Sequence, residues 1–75
     1  MNNWFMNDLC KEIRQVVFEK QKIFNCLIFL ADENDSVYIS VFFLNDNSSI
    51  GWTKITDSTN KYDICIAIRR FFKGL

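Results

Sequence analysis

The sequence predicts a two-layer α+β domain over residues 1–75, in which two helices pack on one face of a three-stranded antiparallel sheet in the order α-β-β-β-α. Three observations support this prediction. The first and last segments carry apolar residues at helical spacing, and the segments between them are continuously apolar or alternate. Clusters of turn-forming residues separate these segments. At 75 residues, the chain is long enough for one small hydrophobic core.

Residues 4–22 are predicted to form the first helix. On a helical wheel with about 100° per residue, one side is apolar and the other is polar and charged. The apolar side carries Met6, Leu9, Cys10, Ile13, Val16, Val17 and Phe24. Asn3 or Asn7 is a suitable N-cap, because an asparagine side chain accepts hydrogen bonds from the first backbone N–H groups of a helix.

Three strands are predicted at residues 25–31, 36–44 and 50–56. The first is a short apolar run that is typical of a buried strand. The third is rich in β-branched and aromatic residues. The second alternates, with Val37, Ile39, Val41 and Phe43 on one face and Tyr38, Ser40, Phe42 and Leu44 on the other. Residues 32–35 and 45–49 have turn composition, so antiparallel hairpins are expected to join the strands.

The last segment, residues 61–73, allows two interpretations. Its isoleucines alternate with other residues from Tyr62 to Arg69, which is the period of a strand and would make this segment a fourth strand. However, potential N-cap residues precede it at 57–60, and Lys73 with Gly74 is a helix stop signal. We therefore predict a helix and keep a strand as the alternative.

The composition argues against catalysis and against metal or cofactor binding. Histidine is absent, so the usual general acid or base at neutral pH is missing. The three cysteines form no Cys-x-x-Cys pair, and two glycines are too few for a phosphate-binding loop. The acidic run that begins at Asp32 has Val37 where a calcium loop requires glycine. We expect no enzyme activity, no cofactor and no metal site.

The remaining composition indicates a cytoplasmic protein from an A/T-rich genome. Cysteines are odd in number and lie among apolar neighbours, as free thiols do. No signal peptide or membrane-spanning segment is predicted. Amino acids with A/T-rich codons (Phe, Ile, Lys, Asn and Tyr) number 33, whereas those with G/C-rich codons (Gly, Ala, Arg and Pro) number 7. Such a bias is typical of mobile elements such as phages and plasmids.

The net charge of zero conceals an uneven distribution. Residues 25–49 carry four acids and no base, whereas residues 50–75 carry five bases and two acids. Asp32, Glu33 and Asp35 are predicted to gather at one end of the sheet, together with Asp57. One interpretation is that acids suit turns and the start of a helix. The other is an acidic tip that docks against a basic surface of a partner.

Aromatic side chains on polar faces mark the other candidate partner-binding residues. Interfaces are enriched in aromatic residues and arginine. The first helix offers Trp4, Arg14, Phe18 and Lys22, and the last segment offers Tyr62 and Arg69. Because two helices cover only one face of a sheet, the other face must expose apolar residues of the second strand. The uncovered face carries either Tyr38, Phe42 and Leu44 or Val37, Ile39, Val41 and Phe43, together with neighbours such as Trp52 or Ile55. The pattern leaves both alternatives open, and Tyr38, Phe42 and Trp52 are the candidate partner-binding residues.

These features predict a non-enzymatic protein-binding module. Small inhibitors from phages and plasmids, such as anti-CRISPR, anti-nuclease, antitoxin and immunity proteins, have this profile. We also expect a homo-oligomer, most simply a dimer, to cover the apolar face. One alternative function is that of a structural subunit in a homo-oligomeric assembly. A second alternative follows from the α-β-β-β-α order, which resembles that of double-stranded RNA-binding domains. The acids at 32–35 stand where those domains carry a histidine-bearing loop, so nucleic-acid binding is not expected.

Overall fold

The computed structural model describes residues 2–75 and has helices on one side of an antiparallel sheet. The strands are β1 (Asn2–Trp4), β2 (Cys26–Glu33), β3 (Ser36–Phe43) and β4 (Ser49–Thr56), and the helices are α1 (Lys11–Phe24) and α2 (Lys61–Lys73). The predicted α+β class, both helices and the three central strands are confirmed. The radius of gyration is 11.4 Å, close to the roughly 11 Å expected of one compact domain of this length.

The sheet has a fourth strand, and it comes from the start of the described chain. The strand order is β1-β2-β3-β4, and all neighbours are antiparallel. In β1, Asn2 pairs with Asp32 and Trp4 pairs with Leu30. The alternative in which the last segment supplies a fourth strand is wrong, because that segment is α2.

The first helix begins later than the sequence predicted. A 3-10 turn at Met6–Asp8 follows β1, and α1 begins at Lys11 with Cys10 in the N-cap position. The prediction of Asn3 or Asn7 as the cap is therefore wrong. Asparagine and bulky aromatic residues are poor helix formers, and pairing with β2 gives the first residues an extended conformation instead. The helix ends at Phe24, where Asn25 adopts the left-handed conformation with φ 49°.

Local sequence explains the remaining boundaries. Asn34 and Asp35 both have positive φ and form a two-residue hairpin loop between β2 and β3, as in the turns that match the twist of paired strands. Before α2, the side chain of Asn60 accepts hydrogen bonds from the backbone N–H groups of Tyr62 and Asp63, at 2.9 and 3.4 Å. This cap marks the start of α2, in a segment whose alternating isoleucines also allowed a strand.

The hydrophobic core lies between the helices and one face of the sheet. Its largest fully buried side chains are Phe72, Ile39, Ile64, Ile68, Val17, Val37 and Val41. Helix α1 contacts β2, helix α2 contacts β4, and the helices contact each other. An ion pair between the Lys61 ammonium and the Glu12 carboxylate, at 2.6 Å, links them at the surface.

Candidate protein-binding surfaces

Burial along β3 shows which face of the sheet the helices leave open. Val37, Ile39 and Val41 are 0% exposed, whereas Tyr38 and Phe42 on the opposite face are partly exposed. The sequence left open which of these two sets would be uncovered. The structure places the candidates Tyr38 and Phe42 on the uncovered side.

Neighbouring strands extend this uncovered side into an apolar patch. Leu27 of β2 pairs with Phe42, and Leu27, Phe29 and Trp52 are between 43% and 49% exposed. We call these five residues the open face: Leu27, Phe29, Tyr38, Phe42 and Trp52. The prediction of a buried first strand is wrong in part, because Leu27 and Phe29 of β2 are exposed. An uninterrupted apolar run does not reveal its uncovered face, so the sequence did not identify Leu27 and Phe29.

A cavity of about 360 Å³ borders the open face between Phe29 and Trp52, with Trp4 and Phe5 among its walls. Ser40 pairs with Phe29 across β2 and β3. Its hydroxyl donates a hydrogen bond of 2.9 Å to a backbone carbonyl of β4, at Ile50. Ser40 therefore places a small side chain beside the large ring of Phe29 on the open face.

Trp4 does not lie where the sequence predicted it. The prediction put it on a polar helix face near Phe18, but it is in β1 and packs against the core. Because α1 begins only at Lys11, Trp4 lies outside the helix and has no position on its polar face. Trp4 is instead one wall of the cavity beside the open face.

The outer side of α1 brings three of the predicted candidates together. Phe18 is 63% exposed, and Arg14 and Lys22 are exposed one turn before and after it. Phe18 and Arg14 line a shallow depression of about 370 Å³ with Met6, Lys11 and Gln15. This small surface is aromatic and basic, and it is separate from the open face.

The acidic end of the sheet is divided between its two faces. Glu33 and Asp35 are exposed at the hairpin tip, whereas Asp32 is partly buried and alternates with Glu33 onto the helix side. Asp57 accepts a hydrogen bond from the Ser36 hydroxyl and pairs with the Lys54 ammonium, both at 2.9 Å. The hydrogen bond from Lys54, together with that from Ser36, lowers the pKa of Asp57. Lys54 thus offsets part of the negative charge expected here.

On α2, Tyr62 and Arg69 are both exposed. Tyr62 is 61% exposed, and the Lys61 ammonium lies 5.1 Å from the centre of its ring, within the range of a cation–π contact. The spacing of seven residues puts Tyr62 and Arg69 on the same side of the helix. The structure thus places them together but away from the open face.

Two of the three cysteine thiols are buried. Burial raises the pKa of the Cys26 and Cys65 thiols, which disfavours the reactive thiolate form. No group of three or more potential metal ligands occurs within residues 2–75. No helix in the same range is long and apolar enough to cross a membrane.

Comparison with known proteins adds no relative: no family model, no curated protein and no solved structure matches this chain.

Proposed function

We propose that this chain is a non-enzymatic protein-binding module that acts in the cytoplasm by occupying a larger host protein, as phage and plasmid inhibitors do. The observation that carries this proposal is the open face. Its side chains Phe29 and Trp52 are 49% and 45% exposed on the side of the sheet opposite the helices.

Both the composition and the shape of the open face favour a protein as its ligand. A contiguous apolar patch on a small domain is typical of an interaction site. Aromatic side chains are enriched among the residues that dominate binding energy, and they act best in pockets from which water is excluded. The cavity beside Phe29 and Trp52 offers such a pocket for an apolar side chain of the partner.

A second copy of the chain is the other candidate occupant, and one observation favours it. None of the five open-face residues is charged, and Lys54, which pairs with Tyr38, has the Asp57 carboxylate 2.9 Å from its ammonium. Two uncharged apolar faces can meet about a two-fold axis without like-charge repulsion. Light scattering separates the two uses, because a dimer has twice the mass of the 8.9 kDa chain.

The proposal is tested by affinity capture from a bacterial lysate with matched variants. Phe29→Ser and Trp52→Ser remove apolar side chains from the open face. Ile23→Ser is the control, because Ile23 is an exposed apolar residue of α1 that lies outside every candidate surface. Captured proteins are quantified by mass spectrometry.

We expect one host protein at a stoichiometric level with the wild type and with Ile23→Ser. Each open-face variant should recover at least about tenfold less of it, which corresponds to about 1.4 kcal/mol. Equal loss with all three variants would point to nonspecific adhesion, and the absence of any stoichiometric partner would count against the proposal.

A further inference from the structure

We infer that the groove between β4 and α2 binds an extended, acidic segment of a protein, which adds to the sheet beside β4. The groove has a volume of about 470 Å³, within the range of ligand-binding clefts. Its walls include Ile55 and Thr56 from β4 and Asp63, Ile66, Ala67 and Arg70 from α2. It shares none of the five open-face residues, although Lys54, which pairs with Tyr38, also lines it. The inference therefore does not depend on the function proposed for the open face.

The first element of the site is the edge of β4. Within residues 2–75, this eight-residue strand pairs only with β3. In an antiparallel sheet, the outer edge of the last strand presents backbone N–H and C=O groups without strand partners. An extended peptide satisfies such groups by adding as a further strand.

Irregular pairing limits the length of the segment that can add. The register between β3 and β4 shifts between Val37 and Tyr38 and again between Ile39 and Val41, and each time β4 contributes the extra residue. Such bulges interrupt the ladder and twist an edge away from long, regular pairing. The edge therefore suits a short segment and not a second complete sheet.

The second element is a line of residues on the side of α2 that faces β4. Asp63, Ile66 and Arg70 are spaced three and four residues apart, which aligns them on one face of a helix. The distance between the Asp63 and Arg70 positions is about 10 Å at 1.5 Å per residue. An extended segment of about three residues covers this length.

The charged groups at the two ends of this line differ in whether they already have a partner within the molecule. The Asp63 carboxylate accepts a hydrogen bond of 2.6 Å from the Ser58 hydroxyl, so it already has a partner in the loop before α2. The Arg70 guanidinium has no ion-pair partner in the described part of the chain. The groove therefore complements a negative side chain at the Arg70 end, and guanidinium–carboxylate pairs are strong and directional.

The centre of the groove is apolar. Ile66 is 45% exposed although it lies on a helix that packs against the core, and Ile55 and Ala67 flank it in the groove. Together with the free strand edge, this floor favours a peptide over a nucleic acid.

The test is a selection from a displayed library of random seven-residue segments, followed by titration of one enriched peptide into the isotopically labelled chain. Arg70→Glu reverses the charge in the groove. Lys73→Glu is the matched control, because it makes the same change of charge in the same last turn of α2 but lies outside the groove. A single-stranded oligonucleotide is titrated in parallel.

We expect enrichment of an acidic residue next to a β-branched or aromatic one. The enriched peptide should shift amide signals of residues 54–56 and 63–71, and Arg70→Glu should weaken its binding at least about tenfold, against less than about threefold for Lys73→Glu. Each of three results would overturn the inference: no acidic enrichment, equal weakening by both variants, or tighter binding of the oligonucleotide at the same signals.

Discussion

The two faces of β3 differ in their surroundings far more than in their side chains. Val37, Ile39 and Val41 are fully buried under the helices, while Tyr38 and Phe42 are partly exposed on the other side. Both sets are mostly apolar, and both have the strand periodicity. The difference shows that hydrophobicity alone does not locate the core of a small two-layer domain. The covering helices decide which face becomes core, and the remaining apolar face is left for a ligand.

The largest expected effect separates these two faces by stability. Ile39→Ala removes a fully buried side chain, and we expect a loss of about 3 kcal/mol in the free energy of unfolding, because a cavity remains. Leu27→Ala removes a similar aliphatic group from the open face, where it is 43% exposed. It should cost less than about 1 kcal/mol. Urea denaturation measures both, and equal losses would mean that the open face is as structural as the core.

A second prediction concerns the start of α2, one of the two helices that cover the buried face of the sheet. Asn60 caps α2 with its side-chain oxygen, so Asn60→Ala should reduce the free energy of unfolding by about 1 kcal/mol. Thr59→Ala is the control, because Thr59 is an exposed neighbour that donates no side-chain hydrogen bond within residues 2–75. Thermal unfolding followed by circular dichroism provides the measurement. A loss that is no larger for Asn60→Ala than for Thr59→Ala would contradict the capping role.

The two tryptophans provide a smaller, spectroscopic contrast between the faces. Trp52 is 45% exposed on the open face, and Trp4 packs against the core. In single-tryptophan variants, Trp4→Phe and Trp52→Phe, acrylamide should quench the remaining Trp52 more strongly than the remaining Trp4. A partner on the open face should protect Trp52, whereas similar quenching of both without a partner would contradict the assignment of the faces.

The smallest effect is expected from the ion pair between the helices. The hydrogen bond from the Lys61 ammonium lowers the pKa of Glu12 below its ordinary value of 4.5. Because the folded-state pKa is lowered, this contribution is present above about pH 5 and is lost as the pH falls through the folded-state value. Glu12→Gln should therefore flatten the decline of stability on acidification. Denaturant midpoints between pH 6 and pH 3 test this, and an unchanged slope would mean that the pair contributes nothing.

The sequence predicted the parts of the fold that depend on local patterns. Alternation in β3, turn residues at 34–35 and the cap at Asn60 are all visible within a few neighbouring residues. By contrast, β1 depends on pairing between Trp4 and Leu30, which no local pattern encodes. The sequence placed Trp4 on a helix for the same reason.

The candidate surfaces divide in the same way. Strand alternation and the number of helices predicted one uncovered apolar face, with Tyr38, Phe42 and Trp52 among its candidates, but which face is uncovered depends on where the helices pack. Phe29 was missed because β2 is apolar on both faces, so its sequence does not indicate which side chains are exposed. Arg70 was missed because the groove exists only through the placement of α2 beside β4.

The short strand β1 also determines how readily the molecule opens. It pairs through only three positions, and its partners in β2 lie 26 to 30 residues further along the chain. Contacts between such distant residues tend to form late in folding, and small peripheral units open before the rest of a domain. Since Trp4 is one wall of the cavity beside Phe29, release of this strand would widen that cavity without disturbing the hairpins. Amide hydrogen exchange should therefore be faster in β1 than in β3, and binding at the cavity should slow it.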